Sequence, residues 1–125
     1  MNKRLAKITS ATLEIQERLM LNFWIQVDYE EGMSQGIGGI LLDEYDPKTE
    51  TRVGTAYGCE MIRSLLLELD VNDFSEMKDK VIWVLGEGEG LSFKPLGIRS
   101  LKVSGEGIGG VVFADIAEKF LPKKE

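Results

Sequence analysis

Between Leu19 and Asp28 the chain alternates with a period of two. Leu19, Leu21, Phe23, Ile25 and Val27 fall on one side; Met20, Asn22, Trp24, Gln26 and Asp28 fall on the other. Such alternation is the signature of a half-buried antiparallel strand. It leaves Trp24 on the less buried face, where a large aromatic ring is a candidate contact residue. Residues 8–15 alternate less cleanly and predict a second strand, with Ala11, Leu13 and Ile15 inward. Gly36 to Asp43 reads as a third strand with a glycine-rich start, joined to its predecessor by a hairpin. Asp46-Pro47-Lys48-Thr49 is a turn signal.

One segment changes period. From about Thr55 to Leu69, Ile62, Leu65, Leu66 and Leu69 recur at helical spacing, with Gly58 and Cys59 extending the stripe. Glu60, Arg63, Ser64 and Glu68 mark the expected wet side. A glycine in the first turns of a helix costs up to about 1 kcal/mol against alanine, so Gly58 predicts close packing. Cys59, on the stripe, is expected to be a buried and inert thiol. Val81–Leu85, with Trp83, predicts a central strand. Gly86 to Gly90 predicts a flexible acidic loop. Further strands are expected near 91–93, 98–103 and 111–113. The expected fold is α+β: an antiparallel sheet of five to six strands with one main helix packed on one face, as a single domain over residues 1–125. With one helix, only one face of the sheet is covered, which predicts a homo-oligomer.

Gly36-Ile37-Gly38-Gly39-Ile40 is echoed at Gly107-Ile108-Gly109-Gly110-Val111. A duplication would repeat the long helix as well, so two glycine-rich strand entries are the favoured explanation.

Composition narrows the chemistry. The chain has no histidine and one cysteine, which removes histidine bases, Ser-His and Cys-His pairs, and structural zinc sites. A non-enzymatic role is expected, without metal or cofactor. The lone cysteine suits a reducing compartment. No run of apolar residues is long enough to span a bilayer, and Thr9, Ser10, Thr12 and Glu14 interrupt the N-terminus where a signal peptide would be apolar. The net charge is −6, and the body between residues 8 and 122 carries 10 Lys and Arg against 20 Asp and Glu. That balance disfavours generic nucleic-acid binding. Most of the carboxylates, Asp43, Glu44 and Asp46 among them, are expected to be solvated.

Two segments are candidate ligand sites. The first is Gln35-Gly36-Ile37-Gly38-Gly39, where bare backbone can approach an anion. A Rossmann fingerprint needs a helix after its glycines, and here a strand follows, so that mode is rejected. A bulge or tight strand crossing is the favoured explanation of these glycines. The second is Arg52-Val53-Gly54-Thr55-Ala56-Tyr57-Gly58, leading into the helix. Arg52 is a bidentate partner for phosphate, Thr55 a cap or donor, and Tyr57 a stacking ring. The candidate ligand-binding residues are therefore Trp24, Gln35, Gly36, Gly38, Gly39, Arg52, Gly54, Thr55 and Tyr57.

Gly36-Ile37-Gly38-Gly39 leading to Leu42-Asp43, then Arg52, Gly54-Thr55-Ala56-Tyr57-Gly58, Glu60 and Ile62, resembles a group of small phage and prophage proteins. The likeness continues through Leu69, Val71 and Phe74 to Ile108, Asp115, Phe120 and Pro122. It implies a virus-encoded accessory protein, cytoplasmic in an infected or lysogenic bacterial host, that counters a host defence. Two modes follow: sequestering a small phosphorylated or nucleotide-like signal, or inhibiting a host protein through an acidic surface. The segment from Gly86 to Gly107 is longer than in that group.

Overall fold

The computed structural model describes residues 1–16, 19–101 and 110–120. Its strands are β1 (Asn2–Ile15), β2 (Leu21–Tyr29), β3 (Ser34–Leu41), β4 (Asp43–Asp46), β5 (Thr51–Gly54), β6 (Val81–Glu87), β7 (Lys94–Ser100) and β8 (Val111–Val112). Its helices are α1 (Ala56–Leu69) and α2 (Phe113–Phe120). Six strands form one antiparallel sheet in the order β3-β2-β1-β6-β7-β8, and β4 with β5 forms a separate hairpin. The fold is α+β, with one main helix packed against the sheet.

β1 is the spine of the sheet. Its first half pairs with β6 (Asn2↔Gly86 to Lys7↔Val81), and its second half pairs with β2 (Ser10↔Gln26 to Ile15↔Leu21). The two ladders overlap only at Ala6 and Lys7, next to a bulge between Ile8 and Ser10. Alternation buries Ala6 and Ile8 from β1, Phe23, Ile25 and Val27 from β2, and Ile82 and Val84 from β6. β6 is central, as its β-branched composition predicts.

Thr55 caps α1: its hydroxyl accepts from the Gly58 N–H and donates to the Leu42 carbonyl. Asp70 ends the helix in the left-handed region. The buried face is Tyr57, Gly58, Met61, Ser64, Leu65, Glu68 and Leu69, which is rotated from the expected stripe. Ile62 and Leu66 are only half-buried, and Cys59 is exposed rather than buried. Ser64 and Glu68, expected to be wet, are inside. The cause is polar: the Glu68 carboxylate accepts from the Ser100 and Gly110 N–H groups, which turns that side of the helix inward. Gly58 meets its expected close packing, since a Cβ there would lie 1.8 Å from the Leu42 carbonyl oxygen.

Other expectations are revised. Residues 90–92 form a 3-10 turn rather than a strand, and Gly86 and Glu87 belong to β6 rather than to a loop. The β4–β5 hairpin was not anticipated, although Asp46 does start the turn by accepting from the Lys48 N–H. The expectations for Val103, Gly107, Ile108, Gly109 and Pro122 lie outside the described residues.

Candidate functional site

β2, β3, the β4–β5 hairpin and the start of α1 converge around Leu41-Leu42-Asp43. Leu41 pairs with Asn22 at the end of the β2–β3 ladder. The Leu42 N–H donates to Leu21, and the Leu42 carbonyl receives Thr55. Asp43 then enters β4, and its Oδ2 accepts from the Leu21 N–H at 3.1 Å. A short stretch of chain thus binds the sheet, the hairpin and the helix together.

Arg52 completes this junction. Its guanidinium donates to Asp43 Oδ1 at 2.8 Å and to the Asp43 backbone carbonyl at 3.1 Å. The ion pair is largely desolvated, with the two side chains 18% and 7% exposed. Arg52 holds the Asp43 carboxyl below its ordinary range; burial opposes this and the Leu21 N–H assists it. The same pairing raises Arg52 further above neutrality. Arg52 is therefore not the free surface cation that its sequence position suggests, because its charge is already matched.

Two buried side-chain polar atoms have no hydrogen-bond partner among the described residues: Arg52 Nε and Asn22 Oδ1. Arg52 belongs to this junction, and Asn22 sits in β2 opposite Leu41, at its border. Asn22 lies between Leu21, which binds Asp43, and Phe23, and its amide nitrogen donates to Gln16 Oε1 at 2.8 Å. A buried donor and a buried acceptor without partners within the chain need an explanation, since native interiors pair nearly all such atoms.

The glycine segment lies beside the junction, on the face of the sheet opposite the helices. A Cβ at Gly36 would fall 1.9 Å from the Trp24 ring, so the absent side chain is the seat of the indole. Gly38, at φ +144°, passes so close to Phe23 that a Cβ would lie 2.2 Å from its carbonyl oxygen. Gly39 is also in the left-handed region, with Trp24 at van der Waals distance. These glycines make a platform and a bulge rather than a phosphate cradle, as the favoured explanation has it. Trp24 rests on that platform, 41% exposed, with its indole N–H on Gln26 Oε1.

The remaining predicted residues separate. Gly54 borders open space, since nothing lies within 4 Å of a Cβ built there. Thr55 is fully engaged as the cap. Tyr57 is buried, and burial pushes its phenol up, so it is core rather than a stacking ring. Gln35 is a structural bridge: it accepts from the Tyr29 hydroxyl and donates to the Phe93 carbonyl at 3.0 Å. Sequence reasoning missed Asn22, assigned to the wet face, and the role of Asp43, taken as solvated. The available signal was the Asp46-Pro47 turn with Arg52 after it, which closes a hairpin and brings Arg52 back toward Asp43.

Among the described residues no cluster of three or more His, Cys, Asp or Glu can hold a metal ion. No described helix is long and apolar enough to cross a membrane. No family model, curated protein or solved structure matches the chain, so the geometry alone carries the functional argument.

Proposed function

We propose that the chain is a non-enzymatic binding protein that sequesters a small phosphorylated or nucleotide-like molecule at the Asp43–Arg52 junction, in the manner of a phage accessory protein that removes a host-defence signal. The observation that carries this reading is the pair of orphaned buried atoms, Arg52 Nε and Asn22 Oδ1. Both atoms are shielded from solvent, so a ligand bearing an anion and a hydroxyl or amine would supply what each lacks once the junction opens to admit it. Arg52 offers a fork that Asp43 holds in a fixed orientation, which reduces the entropy lost on binding a phosphate. Trp24, exposed on its glycine seat beside the junction, offers a face on which a base stacks.

Native mass spectrometry tests the proposal. The protein is incubated with the small-molecule fraction of a bacterial extract, desalted, and weighed before and after denaturation. A mass excess that disappears on denaturation, and is absent from Trp24→Ala, is expected. An unliganded mass throughout, with mono-, di- and cyclic nucleotides also leaving the spectrum unchanged, counts against it.

A second reading is inhibition of a host protein. It is favoured by the edge position of β3 in an acidic chain. A complex of that kind weakens steeply with salt. A salt-insensitive complex excludes its electrostatic form.

A further inference from the structure

The second half of β1 is an edge inside the sheet. Among the described residues of β1 only Asn2–Lys7 pair with β6, and beyond the bulge Ser10–Ile15 pair with β2 alone. Their other side borders a groove of about 520 Å³ whose walls include Ala11, Leu13, Ile62, Leu66 and Phe74. Ala11, Leu13 and Ile15 face the same side as buried Ile25 and Phe23, opposite which they pair. Nevertheless Leu13 is 38% and Ile15 58% exposed, so the groove stands open on this side. Four consecutive residues, Ala11 to Glu14, line the groove, so the strand's own edge forms one wall.

We infer that this edge is a homodimer interface, in which β1 of a second copy pairs antiparallel with β1 about a two-fold axis at Leu13. The sequence of the edge is self-complementary in that register. Leu13 meets the partner's Leu13 and Ala11 meets the partner's Ile15, so every contact on the core face is apolar. On the opposite face Thr12 meets the partner's Glu14, which keeps the two Glu14 carboxylates from facing each other directly. An antiparallel edge pair is isologous, so the contact closes at two copies instead of propagating into a fibre. The partner strand brings its Leu13 and Ile15 toward Ile62 and Leu66 of α1, the two helix residues that the fold leaves half-buried. An unknown protein's strand would satisfy the backbone equally, but nothing would then require the edge to complement itself.

The test uses the full chain. Native mass spectrometry and light scattering at micromolar concentration are expected to show a dimer for wild type and a monomer for Leu13→Glu, which sets two carboxylates against each other on the axis. In a Cys59→Ser background, Leu13→Cys is expected to cross-link to its own copy under mild oxidation, since cross-strand partners have Cβ atoms within disulfide reach. Thr12→Cys, off the axis, is expected to cross-link much less. A monomeric wild type overturns the inference. So does a dimer whose Leu13→Cys variant fails to cross-link, and that readout holds even if Leu13→Glu does not fold.

Discussion

A buried carboxylate stands near each end of α1, but the two joints differ in what they leave over. At the C-terminal end Glu68 accepts from two backbone N–H groups, Ser100 and Gly110, and ties α1 to the β7–β8 side of the sheet. At the N-terminal end Asp43 accepts from the Leu21 N–H and from Arg52, tying the sheet to the hairpin. The first joint leaves no orphaned polar side-chain atom among the described residues. The second leaves Arg52 Nε and Asn22 Oδ1. A joint that only holds structure together can be satisfied from within the chain. A joint with an unpaired donor and acceptor is suited to a molecule from outside.

Breaking the closed joint gives the largest effect. Glu68→Ala strands two part-buried N–H groups, at about 1–3 kcal/mol each when fully buried, so a loss of up to about 2–6 kcal/mol is expected in urea unfolding. Glu68→Gln keeps an acceptor and is expected to lose less. Gly58→Ala comes next, at about 1–3 kcal/mol, because its methyl meets the Leu42 carbonyl and forces the helix start away from β3. That change should also disturb the open joint, since Thr55 binds the same carbonyl.

The open joint responds to pH. Asp43 has its pKa lowered on folding, so the pair contributes stability that is present above the unfolded value and lost as pH falls through the folded one. Asp73, lowered mainly by its bond to Ser75, acts in the same direction. Asp43→Asn should therefore be less stable than wild type at neutral pH and show a shallower acid limb in thermal melts. A full acid slope in that variant would place the linkage elsewhere. Arg52→Ala should lower the melting temperature as well, because it leaves Asp43 buried without its cation. The smallest stability effect is expected for Trp24→Ala, within about 1 kcal/mol in the same melts, since the ring is exposed on a platform that persists without it.

Much of the framework was legible in the sequence. The alternation from Leu21 to Val27, the Thr55-capped helix and the β-branched run at Val81 each state their own structure locally. What was not legible depends on partners distant in sequence. Glu68 reads as solvent-facing until Ser100 and Gly110 are brought to it, 32 and 42 residues away. Cys59 reads as core until the pull on Glu68 rotates the helix. Arg52 reads as free until the hairpin folds it onto Asp43. Leu13 and Ile15 pair opposite Phe23 and Leu21, on the side their alternation predicts, but they are exposed rather than inward, which no periodicity could reveal.

The candidate site was legible in part for the same reason. Trp24 and the glycines were singled out together without any sign that they touch; Gly36 is bare because Trp24 occupies its side-chain space. Tyr57 and Gln35 were selected by residue type, and the fold uses both internally.

The most direct test of the central claim is titration of mono-, di- and cyclic nucleotides into wild type, Trp24→Ala and Arg52→Lys, followed by calorimetry. The account predicts that wild type binds at least one of them, that Trp24→Ala binds it about 10-fold or more weakly from the loss of stacking, worth about 1–3 kcal/mol per base, and that Arg52→Lys, which keeps the charge but loses the fork, is weakened as well. Binding that is equal in all three proteins would show that the Asp43–Arg52 junction is not where the ligand sits.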